Sequence, residues 1–337
     1  MTGFREGSLR RWLGGAAVSA ALLASTSASA EWFNSDKVFL TGGVVTTDGS
    51  GGGGITPWAT ISGYGTRDGI NGGLHYTWVY LPDYTLNSYG VTVGFFDRLE
   101  LSYTNSVLPT GGTFDTVGLA VSALGGAGTG IEPWNTTIKM DVFGAKLRLF
   151  GDAVYNSHSL IPQVAIGGFY KKNRNAALLE TLQAADDTDW EAYVSATKIF
   201  FPVSTLINVT ARYTSANQIG LTGFGGPDGN DKEVRLEGSI AYLLNKQFAI
   251  GGEYQQHGDN LDNKSVKLGA LDLTGLTGLL GGLGNSLTQL EESDWYDLFF
   301  AYAPSKNFSM TFAYAMLGNI TLTPDQSGFY LSLHATF

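Results

Sequence analysis

The residues that could do chemistry in this chain are few: four histidines, at 75, 158, 257 and 334, no cysteine, and charged side chains set two apart in otherwise apolar segments. A hydrolytic site would need a histidine beside both a serine and an acid. Serines abound, but the flanking residues match no hydrolase motif, so no catalytic residue is assigned and no enzyme is expected. His257, Asp259 and Asp262 could converge hard oxygen ligands at a loop entrance. No calcium-binding repeat accompanies them, and neither a metal nor a cofactor is expected.

The charges are more informative, because their neighbours alternate. Glu100, Lys146, Arg148, Glu191, Arg212, Arg235, Glu237, Glu253 and Asp297 each share a face with small polar residues, opposite an apolar face. Period-two alternation is the mark of a β-strand with one face in an apolar medium. The final segment shows it best: Phe329, Leu331, Leu333, Ala335 and Phe337 oppose Tyr330, Ser332, His334 and Thr336. Phe308 to Met316 and Val234 to Leu244 repeat the pattern. Inward charges of both signs either line an aqueous constriction or pair and fill the interior.

Fourteen such segments follow one another, including 37–46, 57–66, 70–81 and, last, 327–337. With the N-terminus in the periplasm, short connections fall on that side, and the long ones, 108–134, 174–187, 218–231, 258–293 and 318–326, fall outside. The expectation is an all-β, closed antiparallel transmembrane barrel of about 14 strands with short periplasmic turns and long extracellular loops. The count drops to twelve if the Gly-rich hairpin around Gly51 to Gly54 stays out of the wall. Closure is required because every backbone N–H and C=O in hydrocarbon needs a partner.

Composition agrees. The chain has 46 glycines, 12% aromatic and 15% charged residues, whereas a soluble domain is about a quarter charged. Arg5, Arg10 and Arg11, the apolar run Trp12 to Ala24 and the triplet Ala28-Ser29-Ala30 form a signal peptide over 1–30. Residues 31–337 are then one barrel domain with 17 basic and 29 acidic residues. Such acidity argues against nucleic acid as a partner. The implied partners are outer-membrane lipids and the barrel assembly machinery, for which Phe329, Leu331, Leu333 and Phe337 supply a C-terminal recognition pattern. Trp58, Trp78, Trp134, Trp190 and Trp295 lie near predicted strand ends and are expected as headgroup-level anchors.

Gly52 to Ile70 (GGGITPWATISGYGTRDGI) resembles the family built on domain of unknown function 3034. Leu81 to Tyr84 (LPDY), Asp141 to Tyr155, Asn217 to Gly226 (NQIGLTGFGG) and Asp294 to Ala303 look like its other blocks. The resemblance implies a proteobacterial outer-membrane protein and supplies no substrate, catalytic residue or cofactor. The stretch between Asp262 and Glu292 departs from it by being longer.

That stretch sets Leu273, Leu276, Leu280, Leu283, Leu287 and Leu290 at helical spacings of three and four. It is expected to be a lid packing on the apolar segment Ala176 to Leu182, or a contact for a greasy ligand. The leading functional expectation is passive passage of a small, unidentified solute through a polar lumen. Its competitors are a plugged barrel with a structural or surface role, and uptake of a hydrophobic compound through the leucine-rich loop.

Overall fold

A computed structural model of the chain describes residues 40–65, 67–111, 137–154, 160–262, 264, 267–268, 271–272, 290–321 and 323–337. The signal segment, His158, Trp134, Leu273, Leu276, Leu280, Leu283 and Leu287 lie outside the described residues.

Among the described residues twelve strands close an antiparallel barrel. They are β1 (Ile70–Tyr80), β2 (Thr85–Phe95), β3 (Leu99–Pro109), β4 (Thr137–Phe150), β5 (Gln163–Asn173), β6 (Thr188–Phe200), β7 (Thr205–Thr214), β8 (Glu233–Leu243), β9 (Phe248–Gln255), β12 (Trp295–Ser305), β13 (Phe308–Ile320) and β14 (Thr323–Thr336). A small hairpin, β10 (Lys267–Leu268) and β11 (Leu271–Asp272), and a short helix, α1 (Ala176–Thr181), sit in the connections. β1 and β14 close the cylinder in register from Gly73–Thr336 to Tyr80–Phe329. Phe337 extends that ladder by exchanging backbone hydrogen bonds with Gly72.

The alternation does what its residue types dictate. Leu74, Tyr89, Leu101, Phe143, Ile240 and Phe312 face outward and exposed, while Thr77, Ser88, Thr104, Ser195, Thr210 and Ser332 are buried inside. An apolar exterior on a barrel without open edges suits a bilayer and not water. Connections are mostly short at the end that carries Phe337, the terminal end, with 151–162 the longest. At the opposite, loop end they include 110–136, 174–187, 215–232 and 256–294.

Two corrections concern strand number and turn length. The segments expected as strands over 37–46 and 57–66 are not in the wall, so the barrel has the twelve strands of the alternative count. From Leu40 to Gly65 the chain runs inside the cylinder, buried throughout and folded into tight turns closed by the bridges Val45–Gly51 and Gly52–Pro57. Thr41-Gly42-Gly43 and Thr46 to Gly54 carry no apolar row to turn toward lipid. The expected loop 318–326 is instead a tight turn, because β13 and β14 continue past the apolar belt to Ile320 and Thr323.

Candidate functional site

The inward segment, hereafter the plug, meets the barrel wall through charge and backbone. Glycine explains how it gets there. A Cβ on Gly53 would lie 1.7 Å from Glu253 Oε1, and one on Gly51 would lie 2.9 Å from Glu100 Oε2. Only a bare backbone lets wall carboxylates reach the plug's N–H groups. Glu253 accepts from Gly54 N–H at 2.5 Å, Ile55 N–H at 2.9 Å, the Thr56 hydroxyl at 2.6 Å and the Ser239 hydroxyl at 2.7 Å. Glu100 accepts from Gly51 N–H at 2.9 Å and Ser62 N–H at 2.6 Å, and so grips both arms of the plug. Lys146 donates to the carbonyls of Gly51 and Thr60 at 2.6 and 2.8 Å and pairs with Glu100 at 3.2 Å. The Pro57 carbonyl accepts from Ser195 and Thr210, and Trp58 Nε1 donates to Ser239.

A second cluster lies nearer the loop end. The plug's Asp48 accepts from Lys171 at 3.0 Å and from Arg212 at 3.2 Å. Both cations also pair with Glu191, at 3.1 and 3.0 Å, and Arg212 grips Glu237 with a second face of its guanidinium. Two cations and three carboxylates therefore share one buried network. Lys171 has a further partner, the Ile219 carbonyl at 2.8 Å, and so ties the plug to the connection between β7 and β8.

All nine charged residues singled out from sequence turn inward. Glu100, Lys146, Glu191, Arg212, Glu237 and Glu253 meet the plug or the cluster around it. Arg148 pairs with Asp97 at the terminal end, and Arg235 with Glu233 and the Ala216 carbonyl at the loop end. Asp297 sits directly across the ladder from Glu253, buried, and neither of its oxygens has a hydrogen-bond partner among the described residues. Inside the plug, Leu40 N–H donates to the Tyr64 hydroxyl at 3.1 Å. Burial pushes that hydroxyl up to about 12, outweighing the donated bond, so it stays neutral.

The histidines face each other across the β1–β14 seam. His75 Nε2 meets Thr104 Oγ1 at 3.0 Å, and neither nitrogen of His334 is bonded among the described residues. His257 pairs with Glu292 at 3.0 Å, not with Asp259 or Asp262, and stacks on Trp295. Two tryptophans expected as lipid anchors are corrected by this geometry. Trp58 belongs to the plug and Trp295 points inward, both 4% exposed. Trp78 and Trp190 do face outward. Phe329, Leu331 and Leu333 turn to the outer surface and Phe337 is exposed beside Gly72. Leu178, Leu182 and Leu290 are buried in one apolar cluster at the loop end.

Sequence reasoning missed the plug and Asp48. The available signal was four consecutive glycines in a segment with no lipid-facing row, next to inward carboxylates that lacked enough inward cations.

No curated protein matches the chain. Among solved structures, the KdgM porin is similar at 10% identity, with 79% of this chain and 99% of that chain covered and a TM-score of 0.43. A NanC porin is similar at 8% identity, 79% and 98% coverage and a TM-score of 0.42. Outer membrane phospholipase A from Escherichia coli is similar at 10% identity, 79% and 92% coverage and a TM-score of 0.35. These likenesses carry no role across, and the barrel stands on its own strand pairing. The model of the family described as protein of unknown function (DUF3034) matches residues 41–334, and the chain belongs to that family.

Proposed function

We propose that this protein is an outer-membrane barrel held shut by its own N-terminal segment, a gated route and not an open diffusion pore. The observation that carries the reading is the position of residues 40–65: they are buried along the lumen and are pinned by Glu100, Lys146 and Glu253 through backbone groups. In this arrangement the plug occupies the lumen that a solute would cross. Each of these contacts is a hydrogen bond that water can replace at a net cost of about 1 kcal/mol or more, and Leu40, Val44, Ile55 and Trp58 add apolar contacts to the wall. The terminal end then faces the periplasm and the long connections face outward, as short turns and long loops are disposed in such barrels.

A second reading, a barrel with no transport role, is favoured by the buried ion-pair cluster of Asp48, Lys171, Glu191, Arg212 and Glu237. A cysteine lock separates the two. The chain has no cysteine, and the Thr56 and Ser239 hydroxyls are in direct contact, so T56C/S239C places two sulfurs at bonding range. Reconstituted in liposomes, the oxidised variant should be impermeable, and reduction should restore a solute leak equal to wild type. A variant lacking residues 40–65 should conduct steadily in planar bilayers. Steady conductance of the oxidised protein would overturn the gate, and silence of the reduced, wild-type and plug-deleted proteins alike would leave the structural reading.

A further inference from the structure

The loop-end half of the lumen is not uniformly polar. Against β1–β3 and β12–β14 the inward side chains are Val79, Leu86, Leu108, Ala315, Leu317 and Ile320, all buried. With Ile55 of the plug beneath and Leu221 above, they enclose a cavity of about 40 Å³. A water needs roughly 10–15 Å³ of such space, so the cavity admits a few waters or a slender chain. A sugar ring, with hydroxyls on every side, does not fit.

Six side chains with polar atoms also line this space, Thr47, Tyr84, Gln218, Thr222, Trp295 and Tyr330, all buried. Gln218 Oε1, Thr222 Oγ1 and Trp295 Nε1 have no hydrogen-bond partner among the described residues, and the Tyr330 hydroxyl lies near the Ser332 and Thr77 hydroxyls. A buried polar atom left unbonded is a standing cost, and native interiors rarely keep one without reason. Here several bound the same apolar space. They offer an acceptor at Gln218, a donor at Trp295 and groups of either kind at Thr222 and Tyr330.

The roof is built and not incidental. Gln218 and Ile219 hold positive φ, +46° and +57°, in a region that side chains other than glycine avoid. The wall enforces this turn: Lys171 donates to the Ile219 carbonyl, Asn173 to the carbonyls of Gly220 and Leu221, and Glu292 accepts from Gln218 N–H. Strained turns that their surroundings over-determine gather at ligand sites. This one closes a cavity whose floor is the plug, and Lys171 touches both.

From this arrangement we propose that the cavity binds a small amphiphile, a slender alkyl chain or small ring bearing one hydroxyl or carbonyl, with the apolar part against Val79, Leu86 and Leu317 and the polar atom among Gln218, Thr222, Trp295 and Tyr330. The proposal rests on the closed-lumen reading for the cavity's enclosure. It does not require the plug ever to move.

The test is titration calorimetry of the full chain in lipid nanodiscs with n-alkanols from butanol to octanol, using empty nanodiscs as the reference. Saturable 1:1 binding is expected, tightening about fourfold per methylene until the chain outgrows the cavity. Ala315→Leu fills the space and should weaken n-hexanol binding at least tenfold. Tyr330→Phe keeps the shape and should weaken n-hexanol about fivefold while leaving n-hexane unchanged. Heat equal to that of empty nanodiscs, binding unaffected by both substitutions, or orphan atoms satisfied by water alone would overturn the site. Binding that persists in the oxidised T56C/S239C protein, whatever its permeability, keeps the site separate from the gate.

Discussion

The two flanks of the lumen use the same strand period to opposite ends. Along β3 to β9 the inward positions place Glu100, Lys146, Lys171, Glu191, Arg212, Glu237 and Glu253 against the plug or the cluster around it, where they pair. Along β1–β3 and β12–β14 the loop-end inward positions include Val79, Leu86, Leu108, Leu317 and Ile320, Ile55 of the plug borders them, and a cavity remains. The difference lies in direction. Charges reach several ångströms to meet specific N–H and C=O groups and so fix where a glycine backbone lies. Aliphatic side chains specify only that water is absent. The charged flank positions the plug and the apolar flank leaves room beside it.

The strongest way to break this contrast is to remove the cation that most carboxylates share. Arg212 holds Asp48, Glu191 and Glu237, and breaking a buried pair by removing one partner costs about 3–5 kcal/mol. Arg212→Ala is therefore expected to lower unfolding stability by at least that much, read as the urea midpoint in lipid vesicles. Leu86→Ala, on the apolar flank, borders space that is already empty and should fall at the low end for such truncations, about 2–3 kcal/mol. Equal losses would mean that the charged cluster is not what orders the lumen.

A subtler break adds one methyl group. Gly53→Ala drives a Cβ into Glu253, which must then release bonds from Gly54, Ile55 and Thr56. About 3 kcal/mol follows from three such bonds, with faster amide hydrogen exchange confined to 40–65. Gly238→Ala, in the wall, meets nothing closer than the Asn208 carbonyl at 3.6 Å and should leave that exchange unchanged. If both variants behave alike, the close approach at Gly53 is not what seats the plug.

Much of the wall was legible from sequence because one period decides both which side chains meet lipid and which meet the interior. Leu331 outside and Ser332 inside follow from parity alone, and so does the inward set of charges. The plug was not legible, because its turns from Val44 to Trp58 are seated by partners that lie far along the chain: Asp48 meets Arg212, and Gly54 meets Glu253. No local rule pairs residues so distant. Trp295 was misplaced for a simpler reason. Its position at a strand end suggested an anchor, although it shares the parity of the inward Asp297.

The mildest test lies at the loop-end rim, where Asp259 sits among like charges. Burial raises the Asp259 carboxyl above its usual value, and the like charges of Asp262, Glu292 and Glu291 add to this against a bond from the Glu292 backbone. The folded rim thus holds a proton more tightly than the unfolded chain. Its contribution to stability is complete below the ordinary carboxylate range and is lost as pH rises through the raised value. Protection factors for amides 256–262, corrected for intrinsic exchange, are expected to fall as pH climbs through that window, by a small amount because the site is mostly solvated. Asp259→Asn should flatten the profile at the protected level. A wild-type profile already flat would show that the rim acids around Asp259 do not oppose one another in the folded protein.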